Sequence, residues 1–287
     1  MRRASTIEKE SAQISTVEDL TGVYESIAST QVAKVKNKVE LSKQFFQLLW
    51  SHYVTIRIDP KTRITNRGPI DENSKQVFIL ISAEGGLSGD IDHRLIETMQ
   101  QNYKPEATDI VVLGSHGATQ LTQLGIPYIH YFQVEETDKY LDVSPVIDVI
   151  LSYSKVVVYY EEYVSLGVQD IKTIDLMSSM RGMSEGVDAA DIITEADTIF
   201  EPSLNEIADE MEMTMMTLAL SQTILESSLA QAASRFNAMA VAKKRANELL
   251  GDYTLEYHRA KRSEADRRMR EVMISLKKKR SRVGGSR

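Results

Sequence analysis

The chain has 287 residues, 42% hydrophobic and 26% charged, which is enough to bury a sizeable core; no run of 18 apolar residues would span a membrane. Zero cysteines exclude disulfides, cysteine-ligated zinc and thiol nucleophiles. A net charge of −7 weighs against general nucleic-acid binding, and the opening MRRASTIEKESAQ lacks the apolar stretch of a secretory signal.

All six prolines fall from Pro60 to Pro202, together with ten of the fourteen glycines. These residues interrupt helices, so the two ends read as one long helix each and the middle as a domain with turns. The expected divisions are residues 1–59, 60–202 and 203–287. In the N-terminal arm, Val32, Val35, Val39, Phe46, Leu49, Tyr53 and Ile56 recur in steps of three and four, with Ser42 as the polar exception. Such a 3.5-residue period is that of a coiled coil.

In the middle, Gln76–Ser82, Ile110–Leu113 and Ser154–Tyr160 read as buried strands, and Ile126–Phe132 as a less apolar one. Ile91–Asn102, Ala118–Leu124 and Val143–Ser152 read as helices, with Ile171–Asp175 and Thr198–Phe200 as edge strands. Apolar strands alternating with helices indicate an α/β layered, Rossmann-like domain. The turn Ala83–Asp90 (AEGGLSGD) sits where phosphate loops sit. It matches neither G-x-G-x-x-G nor G-x-x-x-x-G-K-[ST], and its glycines are read as steric necessities. The histidines His52, His93, His116, His130 and His258 are scattered, with no i, i+4 metal pair. Glu135–Glu136 and Glu161–Glu162 are expected to be solvated, and Gly86–Gly89 is not a nucleophile elbow. No catalytic residue, cofactor site or metal site is expected.

The C-terminal arm repeats the period at Leu225, Leu229, Ala232, Phe236, Met239, Ala246, Leu250, Tyr253, Tyr257 and Ala260, broken by Lys243. Ser203 with Glu206 forms a capping box at its start. Both arms are tethered to the middle domain at the same end, so their pairing is expected to be antiparallel. A helix over Leu204–Lys279 would be roughly 110 Å long against about 80 Å for its partner. Its last stretch, with Met269, Val272, Met273, Leu276 and a basic run, is therefore expected to lack a partner within the chain.

Several separated segments resemble the gamma subunit of F-type ATP synthases. They are LTGVYESIA (Leu20–Ala28), AEGGLSGDID (Ala83–Asp92), FEPS (Phe200–Ser203), AQAASRFNAMAVAKKRANELL (Ala230–Leu250) and TLEYHRAKR (Thr254–Arg262). The chain departs from that pattern at Glu25, where the family carries a cation, and at Lys243, which enters the seam. Lys261-Arg262 stands where the family has R-Q. The resemblance implies a non-catalytic central-stalk rotor of a proton-translocating ATP synthase. Its partners would be three alpha and three beta subunits, an epsilon subunit and the c-ring. Membrane contact would come only through the complex, peripherally, on the cytoplasmic face of a bacterial membrane. Lys261 and Arg262, with Arg259, would form a catch for beta-subunit loops. The alternative is a cytosolic coiled-coil adaptor with an α/β partner-binding head; a nucleotide-binding enzyme with a helical arm is disfavoured by the missing phosphate loop.

Overall fold

The computed structural model describes residues 2–55, 75–134, 142–153, 155–176 and 204–283. Two helices dominate: α1 (Ala4–Thr55, 52 residues) and α5 (Leu204–Val283, 80 residues). Neither contains proline, and each contains one glycine, Gly22 and Gly251. The expected divisions near residues 60 and 202, Ile56, Glu135–Glu136, the Ser203 cap and the strand at Thr198–Phe200 lie outside the described residues. The chain divides into two compact units, Ile27–Ala238 and the pairing of Met1–Ser26 with Met239–Arg287.

Unit Ile27–Ala238 is built on a five-stranded sheet. Its strands are β1 (Gln76–Ile81), β2 (Thr108–Leu113), β3 (His130–Phe132), β4 (Val156–Ser165) and β5 (Val168–Asp175), in the order β3-β2-β1-β4-β5. The first four are parallel, and β5 returns antiparallel to β4. Three helices connect them: α2 (Ile91–Asn102), α3 (Ser115–Leu124) and α4 (Ser144–Ile150). QVFILI has no polar alternation because both faces of β1 are covered. Phe78 and Leu80 pack with Ile110, Val112, Val157 and Tyr159 against Leu95, Ile96 and Met99 of α2 and Leu121 of α3. The alternate residues, Val77, Ile79 and Ile81, share a core with Val156, Val158 and α4.

That second core also takes in Phe46 and Tyr53 of α1 and Met215, Met216, Leu220 and Ile224 of α5. These segments of the two long helices are thus a layer of the α/β domain. The α/β class with paired helical ends is as expected. Several strands differ in length from expectation: β2 begins two residues earlier, at Thr108, and β5 three earlier, at Val168. β3 is confined to three residues, and β4 runs on to Ser165 because its polar end, EEYVS, pairs with β5 across a hairpin. An irregularity in the pairing lies between Tyr163 and Ser165.

Ser82, at the end of β1, fixes the approach of α3. Its hydroxyl donates to the Leu113 carbonyl and accepts from the Gly117 N–H, both at 3.0 Å. A Cβ on Gly117 would lie 2.3 Å from Ser82 Oγ, and one on Gly114 (φ 101°) 2.1 Å from Ser82 O. Both positions therefore require glycine.

In the other unit, α1 residues 4–26 and α5 residues 239–283 run antiparallel. Ala4 and Ile7 pack with Tyr253, Tyr257 and Ala260, while Glu25 meets Lys243. The Glu264 carboxylate accepts the Ala4 N–H at 3.1 Å, satisfying an orphan donor at the positive end of α1. Beyond that contact, residues 265–277 of α5 are exposed throughout.

The close approach at Ser82 predicts that Gly117→Ala will destabilise the domain by roughly 1–3 kcal/mol, the usual cost of overpacking. Gly86→Ala, where a Cβ meets nothing within 4 Å, should stay within about 0.5 kcal/mol. Urea unfolding midpoints, with unchanged slopes, check the pair.

Candidate functional site

Doubly wound sheets bind ligands outside the carboxyl ends of their strands, where the strand order reverses. Here that point lies between β1 and β4, and the AEGGLSGD turn follows β1 directly. The crevice is occupied by α5. Ser227 Oγ donates to the Glu161 carboxylate at 3.3 Å and lies 3.5 Å from the Ile81 carbonyl. One turn on, Gln231 donates to Ser227 at 3.1 Å. Ser234 donates to the Ser88 carbonyl at 2.6 Å, and Arg235 reaches the Gly85 carbonyl at 3.3 Å, Ser88 Oγ at 3.4 Å and Gln31 Oε1 at 3.5 Å. The turn thus presents two carbonyl oxygens to a guanidinium and a hydroxyl, the reverse of a phosphate cradle's inward N–H groups. Its glycine at 89 has φ 73°, and Leu87 takes φ 71°, an uncommon conformation for a branched side chain. Short side chains in α5 (Ala230, Ala232, Ala233, Ser234) allow this close seating, and all are buried.

Glu161 departs from expectation. It is 0% exposed, whereas its neighbour Glu162 is half-buried and pairs with Lys172 of β5. Successive residues of a strand point to opposite faces, so adjacency in sequence gave the two glutamates different surroundings. Burial pushes the Glu161 carboxyl well above the usual range, and the charge of Asp92 adds to this. Hydrogen bonds from Gln231 and Ser227 act in the other direction. Asp92, at the start of α2, is also buried. It accepts the Ala83 N–H and faces His116 Nδ1, both at 2.9 Å. Reading the sequence alone missed Arg235, Glu161, Asp92 and His116 as a group; only Arg235, a charge inside an alanine- and serine-rich helical stretch, carried a signal.

The seam residues fall in both units. Val35, Val39 and Leu49 are half-buried and Phe46 is buried on α1. On α5, Leu229 and Met239 are buried, and Phe236, Leu250, Tyr253 and Tyr257 are half-buried. Lys243, the break in the seam, bonds Glu25 at 3.1 Å, and a Cβ on Gly22 would lie 3.4 Å from its ammonium. Glu25 and Lys243, two of the positions where the sequence departs from the resemblance, are therefore partners. Arg259, Lys261 and Arg262 are exposed, with the Lys261 ammonium 5.4 Å from the Tyr257 ring centroid. Among the described residues, no group of three or more His, Asp or Glu could hold a metal ion, and no helix is long and apolar enough to cross a membrane.

An antiparallel pairing of the chain's two ends and an α/β domain whose crevice is lined by its own helix define a protein of long paired helical ends with an α/β domain. A family model described as ATP synthase matches residues 3–275, and the chain belongs to the ATP synthase gamma chain family. It is 22% identical over 284 residues to the ATP synthase gamma chain of Halothermothrix orenii, covering 95% of this chain and 98% of that one. The gamma chain of Malacoplasma penetrans is 21% identical over 288 residues, covering 96% and 99%. In fold, the chain is similar to one in the rotor of the Euglena gracilis mitochondrial ATP synthase in rotational state 1. The TM-score is 0.63 at 14% identity, covering 90% of this chain and 98% of that one.

The Glu25–Lys243 pair predicts a charge-reversal pattern. Glu25→Lys should lower stability by about 0.5–1 kcal/mol, since it sets two ammonium groups together at a partly exposed site. Adding Lys243→Glu should restore most of the loss. A double-mutant cycle by urea unfolding measures the coupling.

Proposed function

We propose that the chain is the central-stalk rotor subunit of a proton-translocating F-type ATP synthase, itself non-catalytic. It passes rotation of a membrane c-ring to a ring of three alpha and three beta subunits, where ATP is made. The observation that carries this reading is the family match over residues 3–275, which takes in both helices and the domain between them. The structure adds physical support. A torque-bearing helix pair needs a fixed register, and interhelical contacts at Ala4–Glu264 and Glu25–Lys243 oppose sliding. It also needs a root, and α1 and α5 contribute side chains to the core beneath the sheet.

The exposed end of α5 fits a bearing. Met269, Val272, Met273 and Leu276 recur at helical spacing, each at least 56% exposed, beside Arg267, Arg268 and Arg270. An apolar stripe without a partner among the described residues suits a surrounding collar of alpha and beta subunits. Arg259, Lys261 and Arg262 then serve as a catch for acidic and polar beta-subunit loops. In this reading residues 1–59 and 203–287 form the shaft, seated at its base in the shared core, and residues 60–202 the rest of the foot that meets the epsilon subunit and c-ring. The complex holds the chain peripherally at the cytoplasmic face of a bacterial membrane.

The test is reconstitution. The cysteine-free sequence lets Val164→Cys, on an exposed hairpin residue, carry a single label. Mixed with alpha and beta subunits, the labelled chain should assemble as one copy per three of each and rotate in one direction on ATP. Failure to join those subunits, with the chain folded and monodisperse, would favour the adaptor. In vesicles containing the whole complex, Lys261→Ala with Arg262→Ala should slow coupled ATP synthesis severalfold, on the scale of one charge-assisted hydrogen bond of about 1.5–3 kcal/mol lost. Unaltered synthesis would leave those cations as a solvated face.

A further inference from the structure

Two buried carboxyl groups lie at the crevice between β1 and β4, and among the described residues their hydrogen bonds come from Ser227, the Ala83 N–H and His116 rather than from a lysine or arginine. Glu161 is wholly buried; one oxygen takes the Ser227 hydroxyl, and Oε1 has no hydrogen-bond donor. Asp92 is 1% exposed, and its oxygens are met by the Ala83 N–H and by His116. The Asp92 carboxylate is close enough for its charge to favour the protonated form of Glu161, after burial itself. An acid in such a place has one inexpensive arrangement: one group keeps its proton and gives it to the other.

The surrounding charges leave that arrangement in place. Arg235, the cation one turn further along α5, bonds Gly85, Ser88 and Gln31. Glu84, in the turn, is taken by the N–H groups of Ser115 and Val134. On the hairpin, Lys172 pairs with Glu162, and Glu226 of α5 interacts with those two groups. From α3 only His116 faces the pair, on the far side of Asp92. The α5 groups next to Glu161 are the uncharged Ser227 and Gln231.

We propose that Glu161 is held as a neutral carboxylic acid that donates a hydrogen bond from Oε1 to the Asp92 carboxylate, so that a single proton clasps α5 to the carboxyl ends of β1 and β4. The chain of contacts runs from His116 on α3 through Asp92 on α2 and Glu161 on β4 to Ser227 and Gln231 on α5. Loss of the proton places two carboxylates side by side with neither exposed to solvent, and their repulsion loosens the packing of α5 over them. The clasp is therefore a pH-sensitive joint between sheet and helix, independent of the partners the chain meets.

The sign of its effect is fixed. A glutamate whose native state holds its proton above the ordinary range contributes stability that is full in acid and declines as pH rises through that interval. Folding of the wild-type chain at pH 7 should take up about one proton more than folding of Glu161→Gln, whose amide can still donate to Asp92. The urea midpoints of the two should separate progressively with pH, and hydrogen exchange around residues 223–235 should quicken in alkali only in the wild type. Infrared spectra of the full chain at pH 7 should show the carbonyl band of a buried carboxylic acid, retained in Glu226→Gln and absent in Glu161→Gln. Parallel midpoints, or no such band, would overturn the clasp. If Glu161→Gln does not fold, Asp92→Asn decides the matter: the band must shift when its acceptor changes from carboxylate to amide, and an unmoved band refutes the proposal.

Discussion

The structure depends on one shared core. Met215, Met216, Leu220 and Ile224 of α5 and Phe46 and Tyr53 of α1 are buried with the strand residues Val77, Ile79, Val156 and Val158. A helix of 80 residues cannot draw its stability from local propensity alone; burial of an apolar stripe has to supply it. Because that stripe is buried against a sheet here, residues 215–224 of the helix share one core with the domain. The Tyr53 hydroxyl adds direction, donating to Glu212 at 2.8 Å inside the same layer. Pulling either helix away would expose a whole face of the domain core.

From that seating follows the fate of the crevice. A parallel sheet leaves strand carbonyls and the next helix's N-terminal N–H groups near its carboxyl edge, which is why such edges take up ligands. In this chain α5 brings Ser227, Ser234 and Arg235 to the edge, where they bond Glu161 and the carbonyls of Ser88 and Gly85. A fold suited to nucleotides has become a mounting for a helix. The buried carboxyls are a consequence: polar groups that would otherwise meet solvent or ligand are enclosed and must satisfy one another.

The helix pair relies on a different balance. Its contacts are small and spaced, with Ala4, Ile7 and Ala260 buried, tyrosines half-buried, and one ion pair where the apolar seam breaks. A polar pair inside such a seam fixes register at some cost in stability, since it cannot be satisfied after a slip of one heptad. Gly22 leaves room for the lysine. A ligand-free rotor needs alignment more than it needs a deep core, which fits the role proposed for the chain.

Much of this was legible in the sequence. Proline and glycine placement marked the two helices, the 3.5-residue period marked an apolar stripe along each, and apolar runs such as QVFILI marked the buried strands. Those signals are local, carried by neighbours within a few residues. Separated matches along the chain also indicated the family. What the sequence left open was every contact between residues far apart in number. Glu161 read as one of a solvated pair, yet strand alternation and the arrival of α5, 66 positions on, enclosed it. Arg235, unremarked inside the segment Ala230–Leu250, meets a turn 150 positions away. Lys243 read as a flaw in the seam until Glu25, 218 positions earlier, became its partner. Periodicity along the chain decides which elements form; only packing decides which charges those elements enclose.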